Sequence, residues 1–471
     1  MELILILINL LTLWISDCMN RKFSTDPLRG MKDFYPSDLR VINWIKGILE
    51  DITELYCYEE FEAPLLEPIE IYAAKSSEEL VNEQAFTMEK KKGKKLLLRP
   101  ELTPSLARMI AKKSQEIKKP IRWYSIPTCY RYESPQKGRR REFRQFNADI
   151  LGEDSLYAEL EIFSMCVDIM TSFGATAEQF QIFYNNRRFI DALCEIILQL
   201  PHEKMPEVYA VLDKSDKMEE SEFEKFVIDT FQDEFIIQGI LKLKENKSLE
   251  DLLSKFDEIP DEFYKSDGYS ELIKLNKLIE EVGLPEYCTF SSSIVRGLAY
   301  YTGTVFEVYD TGKENIRAIF GGGRYDDLLS LFSDEQLSGI GFGMGVLMLS
   351  LFLKTYDLIP DFISENDYTD TIYIASVNED VANYSIELAD IIRTEDLPCI
   401  VDYKFKNLKN QLSKASELGV LITLIVGPKE MEQDEVVLRN MTTNEQKTIS
   451  SEDLIEEIYR LFDELDEKDS D

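Results

Sequence analysis

Residues 121–151 read IRWYSIPTCYRYESPQKGRRREFRQFNADIL. Two runs rich in apolar and aromatic residues, 121–133 and 142–151, flank the polar, basic stretch SPQKGRRR, which is the pattern of two strands joined by a charged loop. Side chains alternate across a strand, so Arg131 and Glu133 are expected on one face, and Phe143, Gln145, Asn147 and Asp149 on one face of the second strand. Side by side, such faces build a pocket floor holding a cation, two carboxylates, an amide and a ring. Arginine suits phosphate oxygens, and phenylalanine suits a stacked base. A solvated hairpin with a Lys/Arg-rich turn explains the same residues, and taken alone the stretch favours that plainer explanation.

Outward from it, residues 37–54 (SDLRVINWIKGILEDITE) carry Val41, Trp44, Ile45, Ile48 and Ile52 on one helical stripe. Strand-like FEAPLLEP follows, then a turn at KKKGKK, and a helix over 104–117. Downstream, a helix is expected at 155–173, and a helix-rich, acidic insertion over 188–285. Strands are expected at 294–309 and 316–320, and an apolar helix at about 339–355. The stretch LIPDFISENDYTD marks a linker. Beyond it TIYIASV, CIVDY and VLITLIVG alternate with SIELADIIR and NLKNQLSKASELG, the signature of a small separate α/β domain. The acidic end DELDEKDSD is expected to fray.

The chain has 471 residues, 44% hydrophobic and 11% aromatic, which predicts two to four globular domains and excludes collagenous, low-complexity and disordered classes. Seven scattered cysteines, none spaced Cys-x-x-Cys, give no zinc or disulfide framework and point to a reducing compartment, read as cytoplasmic. His202 is the only histidine, which leaves little room for a His–Asp couple or a multi-His metal site. Net charge is −35, yet residues 21–150 carry 25 Lys and Arg against 20 Asp and Glu. A local basic surface on an acidic body therefore stays open, because charge is screened beyond about 8–10 Å. Residues 1–15, MELILILINLLTLWI, are too short to span a bilayer and lack the opening Lys/Arg of a signal peptide. The expectation is a start at Met19, with residues 1–18 outside the fold and no membrane partner. A signal or anchor is the alternative.

Three more groups carry possible chemistry. Arg99, Glu101 and Thr103 share a side if extended, and Glu with Thr can accept from an ammonium group. An N-cap at Thr103 ahead of Pro104 is the structural explanation. The stretch from Arg296 to Glu307 packs an Arg, two glycines and two tyrosines into twelve residues. Gly321-Gly-Gly-Arg324 allows close backbone approach without being a P-loop.

In order, RPELTPSLARM (99–109), CYRYESPQKGRRREFRQFNADILG (129–152), VRGLAYYTGTVFE (295–307), GGGRYDDL (321–328) and GIGFGMG (339–345) resemble the histidyl-tRNA synthetase family, of class II. The resemblance runs from about Asp26 to the end of the chain, where 408–430 looks like the family's anticodon-binding domain. It implies an α/β (α+β) fold: an antiparallel-sheet catalytic core over 19–187 and 286–357, the helical insertion at 188–285, and an anticodon-binding domain at 370–471. It also implies ATP-dependent activation of L-histidine, transfer to tRNA(His), and a homodimer formed through the segment 57–70 with Pro64.

The same resemblance assigns residues. Arg131 matches the Arg on the ATP α-phosphate, Glu133 the adenine contact, Arg139 the γ-phosphate contact and Phe143 the ring under adenine. Glu101, Thr103 and Gln145 match the groups on the histidine ammonium, while Asp149 and Tyr301 match those on the imidazole. Arg296 matches the Arg that neutralises charge as the carboxylate attacks, so Arg296 and Arg131 are the catalytic candidates. Mg²⁺ is implied, with no ligands assigned. Two positions depart from the pattern: Ala299 replaces the usual Asp, and Met348 the class II Arg on the ATP tail. The expectation is that Arg139, alone or with Arg324, carries the phosphates. A histidine-sensing paralogue like the regulatory subunit of ATP phosphoribosyltransferase is the alternative, disfavoured because that subunit lacks the tail domain. An acidic scaffold with decayed motifs is a third, disfavoured by the intact Arg131, Glu133, Arg139, Arg296 and Tyr301.

Overall fold

The computed structural model describes residues 24–469 apart from 74–82, 90–92, 94, 216–217, 245, 247, 296–299, 313 and 316. The 1–18 extension, and with it Arg296 and Ala299, lies outside the described residues. The chain divides into two compact units, Met1–Pro360 and Asp361–Asp471.

The first unit is built on a mixed, mainly antiparallel sheet. Strand β1 is Glu59–Glu60, and a small separate sheet follows of β2 (Leu66–Pro68), β3 (Thr87–Glu89) and β4 (Lys95–Leu98). The main sheet continues with β5 (Ile121–Ser125), β6 (Thr128–Tyr130), β7 (Glu142–Leu151), β8 (Phe180–Asn186), β9 (Cys288–Phe290), β10 (Thr304–Asp310), β11 (Ala318–Tyr325) and β12 (Gly339–Gly345). Its order is β1-β5-β7-β12-β11-β10-β8-β9, with β6 added to β7, and only β1–β5 and β8–β9 pair in parallel.

Residues 339–355 are not one helix, as expected, but strand β12 followed by the helix Val346–Thr355. Gly339, Gly341, Gly343 and Gly345 alternate with Ile340, Phe342 and Met344, a period of two that glycine's low helix propensity reinforces. Those three apolar side chains are buried with Phe146, Ala148 and Ile150 of β7. The helices Pro36–Leu55, Tyr157–Ser172 and Val346–Thr355 supply the rest of that core layer through residues such as Leu49, Phe163 and Phe352. One face of the sheet is thereby spent on the core, which leaves the other for a site.

Between β8 and β9 the chain is helical, from Arg187–Ala192 through Met205–Leu212 to Asp267–Glu281, and these helices share the same core. In the second unit, β13 (Ile372–Ser376), β14 (Cys399–Val401) and β15 (Ile422–Val426) are the three expected strands, paired in parallel around β13. Two more, β16 (Glu435–Asn440) and β17 (Gln446–Ser450), extend the sheet antiparallel. Residues 463–469 of the acidic end belong to the helix Leu454–Asp469. No helix among the described residues is long and apolar enough to cross a membrane.

Candidate active site

The open face of the sheet is a trough floored by glycine. Register puts Gln145, Asn147 and Asp149 of β7 opposite Gly345, Gly343 and Gly341 of β12. Gly343 and Gly341 in turn face Gly321 and Gly323 of β11, and Gly321 faces Glu307 of β10. A Cβ on Gly341 would overlap Asp149 Oδ1, one on Gly343 would lie 2.5 Å from Gln145 Nε2, and one on Gly323 would lie 2.8 Å from the Tyr301 ring. The missing side chains make room for a cavity of about 1090 Å³.

Six of the residues assigned from the sequence line this cavity: Glu101, Thr103, Arg131, Gln145, Asp149 and Tyr301. Asp149 is buried, and its Oδ1 accepts from the Tyr325 phenol at 2.5 Å. Burial pushes the Asp149 carboxyl up to about 7, against the opposing pull of that hydrogen bond. Glu101 is buried too, and its Oε2 accepts from the Tyr300 hydroxyl at 3.3 Å. Thr103 caps nothing: the helix Thr103–Lys113 has Leu102 at the cap position with no side-chain cap bond. Gln145 Nε2 donates to Asn147 Oδ1 at 3.1 Å. Carboxylates, an amide and phenols at this end match a ligand carrying an ammonium and a ring N–H.

The residues expected to hold the nucleotide form a second group. Strand β6 ends at Tyr130, where its pairing with β7 stops, so Arg131 and Glu133 are not on one strand face as expected. Arg131 donates from Nε to the Pro100 carbonyl at 2.9 Å and stands 5.2 Å from the centre of the Phe143 ring. Glu133 instead pairs with Arg139, at 2.9 Å. Gln136 and Arg139 exchange backbone hydrogen bonds across a two-residue turn, Lys137-Gly138, with Gly138 at φ +79°. A Cβ on Gly138 would overlap Met348 Sδ, so this turn rests on Met348.

Arg324 does not join the phosphate group. It has the opposite parity to Gly321 and Gly323, and its buried guanidinium is paired with buried Glu159 through Nε at 2.5 Å. It also donates to the carbonyls of Glu153 and Ser155. Asn147, Tyr300, Glu307 and Tyr325 line the cavity without having been assigned from the sequence. Strand alternation was the available signal for Tyr325, which has the parity of Gly321 and Gly323. No group of three or more His, Cys, Asp and Glu able to hold a metal occurs among the described residues.

The Histidyl-tRNA synthetase family model matches residues 30–349, and the Anticodon binding domain model matches 371–461. The histidine–tRNA ligase of Leptospira biflexa is 35% identical over 438 residues, covering 93% of this chain and 98% of its own. The chloroplastic/mitochondrial histidine–tRNA ligase of Arabidopsis thaliana is 32% identical over 435 residues, covering 92% and 87%. Among solved structures, histidyl-tRNA synthetase from Nostoc sp. PCC 7120 superposes with a TM-score of 0.71 at 23% identity, over 93% of this chain and 100% of that one. That likeness supports the fold, and the family matches and curated relatives carry the assignment: this chain belongs to the histidyl-tRNA synthetase family of aminoacyl-tRNA ligases.

Proposed function

We propose that the glycine-floored cavity activates L-histidine with ATP and that the activated acyl group passes to tRNA(His). The observation that carries the reading is the placement of two buried carboxylates, Glu101 and Asp149, in one cavity with Arg131. The histidine ammonium donates to Glu101, Thr103 and Gln145, and the imidazole N–H to Asp149, with Tyr301 beside the ring. Arg131 and Arg296 neutralise charge at the α-phosphate, Glu133 and Phe143 hold the adenine, and Arg139 takes the γ-phosphate. The histidine carboxylate oxygen bonds to the α-phosphorus as the bond to pyrophosphate breaks. A ribose hydroxyl at the tRNA 3′ end then attacks the carbonyl carbon, and AMP leaves. Fixed cations are worth most in such a site because they meet charge that develops only in the transition state. Magnesium would arrive with the ATP phosphates, since Mg²⁺ commonly rides on substrate phosphates and water; no step is assigned to it.

A homodimer is part of the proposal. Strand β1 is at the end of the main sheet's strand order, and Leu65 and Leu66, later in the segment that resembles the class II dimer motif, are exposed. The sensing alternative is disfavoured by the anticodon-binding match over 371–461. Histidine-dependent exchange of pyrophosphate into ATP tests the reading. Exchange that requires histidine supports it, and none at saturating histidine and ATP returns the chain to the sensing alternative.

A further inference from the structure

Arg187 follows directly on β8, where Asn186 caps the helix Arg187–Ala192 by accepting from Phe189 N. An arginine at the start of a short helix would ordinarily point to water. Here it is 5% exposed. Its Nε donates to the Val295 carbonyl at 3.0 Å and its Nη1 to the Tyr301 carbonyl at 2.9 Å, two groups six residues apart in the chain. Its backbone N–H donates to Gly303 O at 2.9 Å. The guanidinium carbon is 5.8 Å from the centre of the Tyr301 ring and 4.6 Å from that of Tyr209, on the helix Met205–Leu212. The Tyr209 hydroxyl in turn donates to Asp191, one turn along from Arg187.

We infer that Arg187 is a positioning residue for histidine recognition, setting Tyr301 in the cavity and tying its stance to the helix Met205–Leu212. The planar fork of a guanidinium can satisfy two separated carbonyls while its faces meet aromatic rings, which the single ammonium of lysine cannot do. The Tyr301 carbonyl is held by a side chain from 114 residues earlier in the sequence. A displacement of the Tyr209 helix therefore reaches Tyr301 through one buried cation. The inference rests on the proposal that Tyr301 contacts histidine, so its test reads binding and leaves turnover to the exchange assay.

Calorimetric titration of the full-length chain with L-histidine and, separately, with ATP is the experiment, on the parent, Arg187→Lys and Tyr209→Leu. Arg187→Lys should weaken histidine by roughly tenfold or more, the range for losing a hydrogen bond from a charged donor, with ATP affinity within about twofold of the parent. Tyr209→Leu should weaken histidine in the same direction and by less. The double variant should lose less than the product of the two single effects, since both act through one contact. Equal weakening of histidine and ATP, or a lowered melting temperature with histidine affinity unchanged, would overturn the assignment and leave Arg187 a purely structural residue. If Arg187→Lys does not fold, Tyr209→Leu still decides: parental histidine affinity there removes the link to the helix. Loss of pyrophosphate exchange in a parent that binds histidine normally would count against the proposed function alone.

Discussion

The Tyr325 hydroxyl donates to Oδ1 of Asp149 at 2.5 Å, and both groups are buried at one end of the trough. A carboxylate there is desolvated, which is why its pKa rises to about 7. Because the folded value lies above the unfolded one, the folded state binds the extra proton between about pH 4 and 7, and the contribution to stability falls as pH rises through that window. Asp149→Asn should therefore be more thermostable than the parent at pH 8, by up to about 4 kcal/mol, with the advantage vanishing near pH 4. Melting curves at a series of pH values check this; a constant difference would show that Asp149 does not titrate there. Asp149→Ala should raise the histidine KM far more than the ATP KM, because a pocket built to pair a ring N–H loses discrimination when its acceptor goes. Tyr325→Phe removes a donor that favours the charged form, so the acid limb of histidine binding should move to higher pH.

Arg324 and Arg139 should fail in opposite ways. Arg324→Met strands Glu159 in the core without its partner, a defect that costs about 3–5 kcal/mol, and should lower stability with the ATP KM of the folded fraction unchanged. Arg139 is half exposed, and its pair with the largely covered Glu133 is only partly buried, so Arg139→Ala should cost little stability while raising the ATP KM. Denaturation alongside steady-state kinetics separates the two, and an ATP-specific defect in the Arg324 variant would restore it to the phosphate site.

Much of the site was legible because strand alternation alone puts Gln145, Asn147 and Asp149 on one face. The same rule applied to Gly321–Tyr325 would have placed Tyr325 with them and Arg324 on the opposite face, but the glycine run hides the strand. By apolar content alone GIGFGMG continues into the following helix, whereas its period of two marks the strand Gly339–Gly345. Arg131 and Glu133 separated because β6 stops at Tyr130, and a strand end is set by its partner, not by its own residues. Arg187 gave no signal at all: its carbonyl partners at 295 and 301 are joined to it only by the fold.

Gly138 and Met348 make a coupled pair. At φ +79°, Gly138→Ala places a side chain in the left-handed region and onto Met348 Sδ. It should raise the ATP KM by displacing the Lys137–Arg141 loop and should lower the melting temperature. Adding Met348→Ala should recover part of both losses, leaving the backbone strain of about 1–2 kcal/mol. No recovery in the double variant would mean that the turn does not rest on Met348.

Arg296 lies in VRGLAYYTGTVFE, one of the five stretches that carry the family resemblance. Arg296→Ala should cut histidine-dependent pyrophosphate exchange by about 10²–10³, the usual loss for one charge contact made in the transition state, while histidine still binds. Exchange within about tenfold of the parent would remove Arg296 from catalysis.

For tRNA the difficulty is charge: a chain at −35 repels a polyanion at long range. Binding must then rest on local basic surfaces, and two are candidates. The Lys137–Arg141 loop is assigned the acceptor end. In the second unit Lys404, Lys406, Lys409 and Lys414 are all exposed around the start of the helix Leu408–Leu418, although Lys414 also approaches Asp402 at 3.9 Å. A solvated helix face explains each lysine singly, so the test has to be collective. Removing residues 370–471 should leave histidine-dependent pyrophosphate exchange largely intact and sharply reduce aminoacylation. Replacing the four lysines together by serine should weaken tRNA binding and flatten its salt dependence, since each phosphate contact contributes about 0.7–0.9 to the log–log slope. An unchanged slope would clear the lysines of contact with phosphate. A truncated chain that charges tRNA as well as the parent would take the second unit out of recognition, and with it the main reason for preferring a ligase to a sensor.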